Sequence, residues 1–287
     1  MTIGIKRQDF EPKPILAELV SMLQSAPYVQ ALGIELLECG GGHALTRMRA
    51  NARNAVSASD PRIAPMALLG LIDHSAGFAM AGLIEPDTGL STFDMRVDFA
   101  HQNPIAKEVL TETRIVLKDA YSFTFQSWTL DTEGATVAIG AGLFRLGSFP
   151  GSIAPGQELR TDNGSHNGAN CLTETLGLEN SATGLSLKAN QHSNIGWHLA
   201  NAVHGGAIGA LLMASCQQRA EMDGEIAAGK RLASLHIRYL RPARGLLPLL
   251  ANSQIGRQGQ AASYIEASCF HEQGKDIATA EATFVQC

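Results

Sequence analysis

The sequence predicts an α+β chain of two tandem units, each a curved antiparallel sheet wrapped around a long central helix, paired as a pseudo-dimer inside one chain. Three observations carry this. A constant offset of 140 residues aligns much of the first half with the second: Val97 falls on Ile237, Phe99 on Tyr239, Gly134 on Gly274, Ala138 on Ala278 and Phe144 on Phe284. Each half holds one long apolar stretch, with Ala67 to Ile72 falling on Ala207 to Leu212. These stretches exceed an ordinary strand and are rich in Ala, Leu and Met, which favour helix. After the stretch come segments with β-branched and aromatic residues in partial alternation, the pattern of an antiparallel sheet with one buried face.

The elements follow in the same order in each half. In the first, a helix-compatible opening, Pro14–Gln24, precedes a short strand over Gly33–Leu37. The Gly40-Gly41-Gly42 turn leads to a second strand, His43–Arg49, and then to an irregular loop. The long helix is predicted over Met66–Leu83, and over Gly206–Met222 in the second half. Strands are predicted over Ser91–Ala100, Val109–Leu117, Ser122–Leu130 and Thr136–Leu146. An almost wholly apolar helix must be covered on nearly all sides, which a curved sheet achieves. Two such units can pair their sheets edge to edge. Between them, Gly147–Asn170 is dominated by Gly, Ser, Pro and Asn and reads as an exposed linker. The expected domains are therefore 1–147 and 171–287, with 148–170 as linker.

Composition narrows the function. The chain has 287 residues, 45% hydrophobic and 17% charged, enough for a sizeable core. Twenty-two Lys+Arg against 27 Asp+Glu leave a net charge of −5, which argues against a nucleic-acid binder. No block of like charges suits attachment to a membrane surface. Ala64–Ile84 is long enough to span a bilayer, but Asp73 and His74 sit near its middle without a flanking basic cluster, so a buried globular helix is expected. The N-terminal segment has no apolar core or small-residue cleavage site, so no secretory signal is expected. Five widely spaced cysteines without a CxxC pair read as reduced thiols of a cytoplasmic protein. His43, His101, His166, His192, His236 and His271 show no metal-ligand spacing, and no GxSxG, phosphate-loop or dinucleotide motif is present. Met66, Met80, Met213 and Met222 read as core or interface filler.

Two signals point to chemistry. His204-Gly205-Gly206 opens the second apolar helix. Glycines there permit close approach of a ligand or another backbone, and free N–H groups at the positive helix end stabilise developing negative charge, such as a thioester oxygen becoming an oxyanion. Alone, the same residues also suit tight helix packing. Asp73 is the second signal. A carboxylate amid an apolar helix costs several kcal/mol unless paired or wet, and reads either as a base or as an inert group at a polar seam. His74 beside it points about 100° around the helix and reads as a packing neighbour.

Together these residues resemble the phenylacetate-pathway (PaaI-type) acyl-CoA thioesterases of the hotdog fold. That family carries HGG followed by Asp nine residues after the His, and a later strand reading like T-x-D-L-R-I-D-Y-L-R-P. Here the first half has Thr92-Phe93-Asp94-Met95-Arg96-Val97-Asp98-Phe99, and the second has His236-Ile237-Arg238-Tyr239-Leu240-Arg241-Pro242. The likeness covers roughly residues 28–147 and 172–287, as two tandem hotdog units. Each half lacks what the other keeps: Met213 stands nine residues after His204, and Ala64-Pro65-Met66 stands where His-Gly-Gly would precede Asp73.

The resemblance implies one composite site, with His204 and Gly205 from the second half meeting Asp73 from the first. Asp73 would act as general base or as nucleophile, which the sequence leaves open. The Gly205 N–H would hold the thioester oxygen, worth roughly 3 kcal/mol. His204 would assist, Thr92 matches the family's positioning hydroxyl, and Gly206 would bind substrate. His198 stands where the family often has Asn, and Arg241 and Arg244 match a segment near the CoA phosphates. The mirror site, with Ala64, Pro65 and Met213, is expected to lack hydrolytic activity while remaining free to hold a ligand. The expected function is hydrolysis of an acyl-CoA thioester to CoA and a carboxylic acid, without metal or organic cofactor. A non-catalytic acyl-CoA binding or regulatory protein is the alternative, and a hydratase of the same fold a weaker third. A homodimer of two such chains is compatible with the pattern.

Overall fold

A computed structural model describes residues 17–84, 88–100, 105, 107–147, 168–182, 184–189, 192–197, 202–272 and 274–287. Two short helices, α1 (Ala17–Gln24) and α2 (Pro27–Leu32), open the first unit. Strands β1 (Ile34–Gly40) and β2 (His43–Arg49) follow, joined across Gly41, whose φ of 56° lies in the left-handed region that favours glycine. A 3₁₀ turn at Ala52–Asn54 and a hairpin of β3 (Ala55–Ser57) and β4 (Asp60–Ile63) fill the stretch expected as irregular loop. The central helix α3 is Ala67–Met80, and every one of its 14 residues is buried. Strands β5 (Leu90–Phe99), β6 (Glu108–Lys118), β7 (Ser122–Asp131) and β8 (Thr136–Leu146) complete the unit.

The second unit repeats the order with shorter opening elements: α4 (Leu172–Leu176), β9 (Leu178–Ser181), β10 (Gly184–Leu187), α5 (His192–Ile195) and a small hairpin of β11 (Gly196–Trp197) and β12 (Ala202–Val203). Helix α6 (Gly205–Met222) and α7 (Gly224–Gly229) precede β13 (Lys230–Tyr239), β14 (Leu249–Gln258), β15 (Ala262–Phe270) and β16 (Ala278–Gln286). The linker expected at 148–170 lies mostly outside the described residues.

Twelve strands form one antiparallel sheet in the order β1-β2-β6-β7-β8-β5-β13-β16-β15-β14-β10-β9, which reads the same from either end once the units are interchanged. The units meet where β5 pairs with β13, and Arg96 lies opposite His236. These residues are themselves 140 apart (236 − 96), so a pseudo-two-fold axis passes through the pair. The repeat extends to irregularities. A register shift between Thr92 and Asp94 recurs between Leu232 and Ser234, and one between Ile115 and Leu117 recurs between Ile255 and Arg257. Bulges re-aim side chains and tighten local twist, so shared bulges give both halves the same curvature.

Helix α3 packs against β2, β6 and β7, α6 packs against β14, β15 and β16, and the two helices pack on each other. A Cβ at Gly206 would stand 2.4 Å from the Gly70 Cα, so the helix backbones touch where α6 begins. This architecture of two hotdog units, paired edge to edge around two central helices, is the expected fold.

Candidate active site

The start of α6 is built by unusual capping. His204 is the N-cap residue, and its Nδ1 accepts the Gly206 N–H at 3.1 Å. That same N–H reaches the Asp73 Oδ2 at 2.9 Å, so a donor left over at the helix start is shared between an imidazole and a carboxylate from α3. The other carboxylate oxygen, Oδ1, accepts the Thr92 hydroxyl at 2.7 Å. Thr92 stands at the β5 bulge, which brings its hydroxyl to the carboxylate beside half-exposed Phe93. Asp73 is 3% exposed, and its negative charge sits at the positive end of an 18-residue helix. These contacts explain how a carboxylate survives inside an apolar helix.

Gly205 is the point of closest approach. A Cβ there would lie 2.8 Å from Asp73 Oδ2 and 3.2 Å from Thr92 Oγ1. Its carbonyl accepts the Tyr239 hydroxyl at 3.0 Å, while its N–H has no hydrogen-bond partner among the described residues. The resemblance implies substrate contact for Gly206 as well. The structure corrects this, because the Gly206 N–H is engaged by Asp73 and His204; of the pair, Gly205 lines the cavity.

His74 is a second correction. It is not merely a packing neighbour: its Nδ1 lies 3.2 Å from His204 Nε2, and its Nε2 lies 2.9 Å from the Leu23 carbonyl. Its ring also packs edge-on against Phe78, with centroids 4.7 Å apart. The 100° turn between Asp73 and His74 describes their own helix and says nothing of where the next helix puts His204. Burial pushes the His204 pKa below its ordinary 6.5, and the opposing influence of Asp73 does not overcome it. The 3.3 Å approach of His204 Nδ1 to Asp73 Oδ2 is therefore a contact of a neutral imidazole, not an ion pair. Tyr28 packs on His204 with ring centroids 5.2 Å apart, and its buried hydroxyl has no partner among the described residues. Burial, then the Asp73 charge, push the Tyr28 pKa up, and Tyr239 rises for the same reasons. Both remain phenols.

These groups open on a cavity of about 580 Å³. Leu19, Met22 and Leu23 of α1, with Gly77 of α3, form one apolar wall, and Phe144 and Leu146 of β8 another. Arg241, Pro242 and Ala243 line it from the second unit. Arg244 does not line this cavity. It belongs to an adjoining cleft of about 660 Å³ that shares Arg241 and Pro242 and adds His271 and Lys275. The segment is anchored: the Arg244 N–H donates to His271 Nε2 at 3.0 Å, and the Val203 N–H donates to the Ala243 carbonyl at 3.0 Å, one residue before His204. His198 lies outside the described residues.

Other candidates recede. Burial pushes the Cys216 and Cys269 thiols up to about 12, far from a useful thiolate. Among the described residues, no group of three His, Cys, Asp or Glu is arranged to hold a metal ion. In the mirror position, the counterparts of His204, Asp73, Thr92 and Tyr239 are Ala64, Met213, Leu232 and Phe99, and all four are buried.

The fold is a hotdog fold of two units, and among the described residues a polar cavity is lined from both of them. Residues 194–285 match the family of acyl-CoA thioesterase N-terminal domains. No curated protein sequence matches the chain. Among solved structures, the chain is similar to a putative oleoyl thioesterase of Lactobacillus plantarum, at 10% identity over 85% of this chain and 95% of that one, with a TM-score of 0.57. It is also similar to an acyl-CoA thioesterase II of Mycobacterium marinum, at 11% identity over 90% and 96%, TM-score 0.56. A hotdog protein of unknown function from Alicyclobacillus acidocaldarius aligns at 10% identity over 92% and 97%, TM-score 0.56. At these identities the likeness is one of fold. No helix among the described residues is long and apolar enough to cross a membrane.

Proposed function

We propose that the chain hydrolyses acyl-CoA thioesters to CoA and a carboxylic acid at a single composite site, within two domains spanning 1–147 and 171–287. The observation that carries this reading is the buried Asp73 carboxylate, held by Thr92 and by the first turn of a helix from the other unit beside an unengaged Gly205 N–H. The family match over 194–285 supports the thioester class.

Both carboxylate oxygens already accept hydrogen bonds, which favours Asp73 as general base over direct attack. Thr92 donates a hydrogen bond to Asp73 and keeps its oxygen lone pairs for a water in the cavity. Asp73 takes a proton from that water as its oxygen bonds to the thioester carbon. The carbonyl electrons move onto oxygen, where the Gly205 N–H stabilises them. Collapse restores the carbonyl, breaks the carbon–sulfur bond and sends the electron pair to sulfur. The proton held by Asp73 goes to the CoA thiolate, leaving acid and thiol. The apolar wall from α1 and β8 suits the acyl chain, and the cleft with Arg241, Arg244 and Lys275 suits the CoA phosphates.

The test is CoA release from short, medium, long and aromatic acyl-CoAs, corrected for protein thiols. Asp73→Asn is expected to lower kcat by roughly 10²–10⁴-fold, the usual range for a general base. Binding of acyl-CoA with no turnover by the unaltered protein would instead establish a non-catalytic acyl-CoA binder.

A further inference from the structure

We propose that His74 is a positioning residue that fixes the tautomer of His204, keeping its Nδ1 unprotonated toward Asp73; this rests on the hydrolytic reading above. The argument starts at Leu23. A carbonyl oxygen only accepts, so the His74 nitrogen 2.9 Å away, Nε2, carries a proton. In a neutral imidazole the other nitrogen, Nδ1, is then an acceptor, and the atom facing it at 3.2 Å is His204 Nε2. His204 must donate there, so its own Nδ1 bears the lone pair. That lone pair accepts the Gly206 N–H at 3.1 Å as the helix cap requires. One carbonyl on α1 thus dictates, through two imidazoles in series, that the His204 nitrogen facing the catalytic carboxylate carries no proton.

The orientation has a chemical consequence. His204 Nδ1 is 3.3 Å from Asp73 Oδ2. Without the His74 acceptor, the imidazole can give up the Gly206 N–H and place its proton on Nδ1, donating it to the carboxylate in a charge-assisted bond. A carboxylate receiving that bond is a weaker base toward water. The His74 lock prevents this and leaves Oδ2 with the Gly206 N–H. When Asp73 takes the proton from water, unprotonated Nδ1 lies beside it and can turn its lone pair from the Gly206 N–H to the new carboxylic acid. Among the described residues, the groups facing His204 include Asp73 and His74 from α3 and Tyr28 from α2, with Tyr239 of β13 bonded to the neighbouring Gly205 carbonyl. His74 touches no substrate in this account. Its effect passes through His204.

Histidine tautomers are read directly from long-range proton–nitrogen NMR spectra of uniformly ¹⁵N-labelled full chain, with His204 assigned by its loss in His204→Gln. The unaltered protein is expected to show His204 protonated on Nε2 and bare on Nδ1. His74→Leu is expected to move that proton to Nδ1, lower kcat about 10- to 100-fold with KM held, and shift the acidic limb of the pH–rate profile to lower pH. His74→Gln offers an amide donor for the Leu23 carbonyl and an oxygen acceptor for His204, and is expected to restore the Nε2 tautomer and most of kcat. An Nδ1-protonated His204 in the unaltered protein overturns the proposal. So does a His74→Leu protein that keeps tautomer and rate, or equal losses in folded Leu and Gln variants. If His74→Leu fails to fold, the unaltered protein and His74→Gln decide the matter. If the unaltered protein hydrolyses no acyl-CoA, the hydrolytic reading fails, while the tautomer spectra still decide whether His74 sets His204.

Discussion

The beginnings of α3 and α6 occupy equivalent places in the two units, yet among the described residues only the start of α6 gathers polar side chains from the facing unit. At α6 the residues are His204, Gly205 and Gly206, and the facing unit supplies Asp73 and Thr92. At α3 they are Ala64, Pro65 and Met66, and the facing equivalents are Met213 and Leu232. The backbone frame is shared down to its bulges. A pseudo-symmetric fold therefore holds two equivalent places, and the residues that stand there separate a polar cleft from buried apolar packing. Proline at position 65 carries this furthest. It has no N–H, so the mirror counterpart of the Gly205 donor is missing at the level of the backbone.

That contrast can be broken from the polar side. After Asp73→Asn, the largest loss is expected from Gly205→Ala, whose methyl would press on Asp73 Oδ2 at 2.8 Å and Thr92 Oγ1 at 3.2 Å. A fall in kcat of about 100-fold or more is anticipated, comparable with removing an oxyanion donor. Steady-state CoA release measures it, and near-normal turnover would show that the close approach has no catalytic purpose. Thr92→Val should cost roughly 10-fold, since one hydrogen bond to a charged group is worth about 1.5–3 kcal/mol and water replaces part of it. Leu232 is the apolar residue already present at the equivalent place.

Acid sharpens the comparison differently. Burial holds the folded-state pKa of His204 below its ordinary 6.5, so the unfolded chain binds a proton more readily. Stability from the neutral imidazole is present in full above about 6.5 and is lost as pH falls through the window down to the depressed folded value. Thermal melts between pH 7.5 and 5 should show a drop in Tm that is smaller in His204→Asn. An equal drop in both would place the acid sensitivity elsewhere. The smallest effect belongs to the mirror side: Met213→Leu, a volume-conserving change at a fully buried position, should cost under about 1.5 kcal/mol and leave turnover within twofold. A strong loss of activity there would mean that the second place takes part in the reaction.

Much of the frame was legible because it follows from local chemistry. Strands β2 and β8 lie over the predicted ranges, and the central helices lie within a few residues of theirs, α3 stopping at Met80 where Leu83 was expected. Helix α2 and the β3–β4 hairpin were missed because elements of three to six residues are too short to display a period. In the site, Asp73 and the His-Gly-Gly turn stood out because a carboxylate amid apolar residues and paired glycines at a helix start each break a local rule. His74 did not, since a polar neighbour beside an already anomalous residue adds no separate signal.

The order of elements, the duplication and the asymmetry between the halves were determined by the sequence itself, because periodicity, residue class and offset are properties of one dimension. Which donor serves which acceptor was decided only by tertiary structure. Gly206 gives its N–H to a carboxylate 133 positions earlier, and His204 meets an imidazole 130 positions away. Arg244 lines the neighbouring cleft although it is only three residues from Arg241. Hydrogen bonds act over about 3 Å and depend on direction, so the division of roles between Gly205 and Gly206, and between His204 and His74, exists only once two central helices are packed against each other.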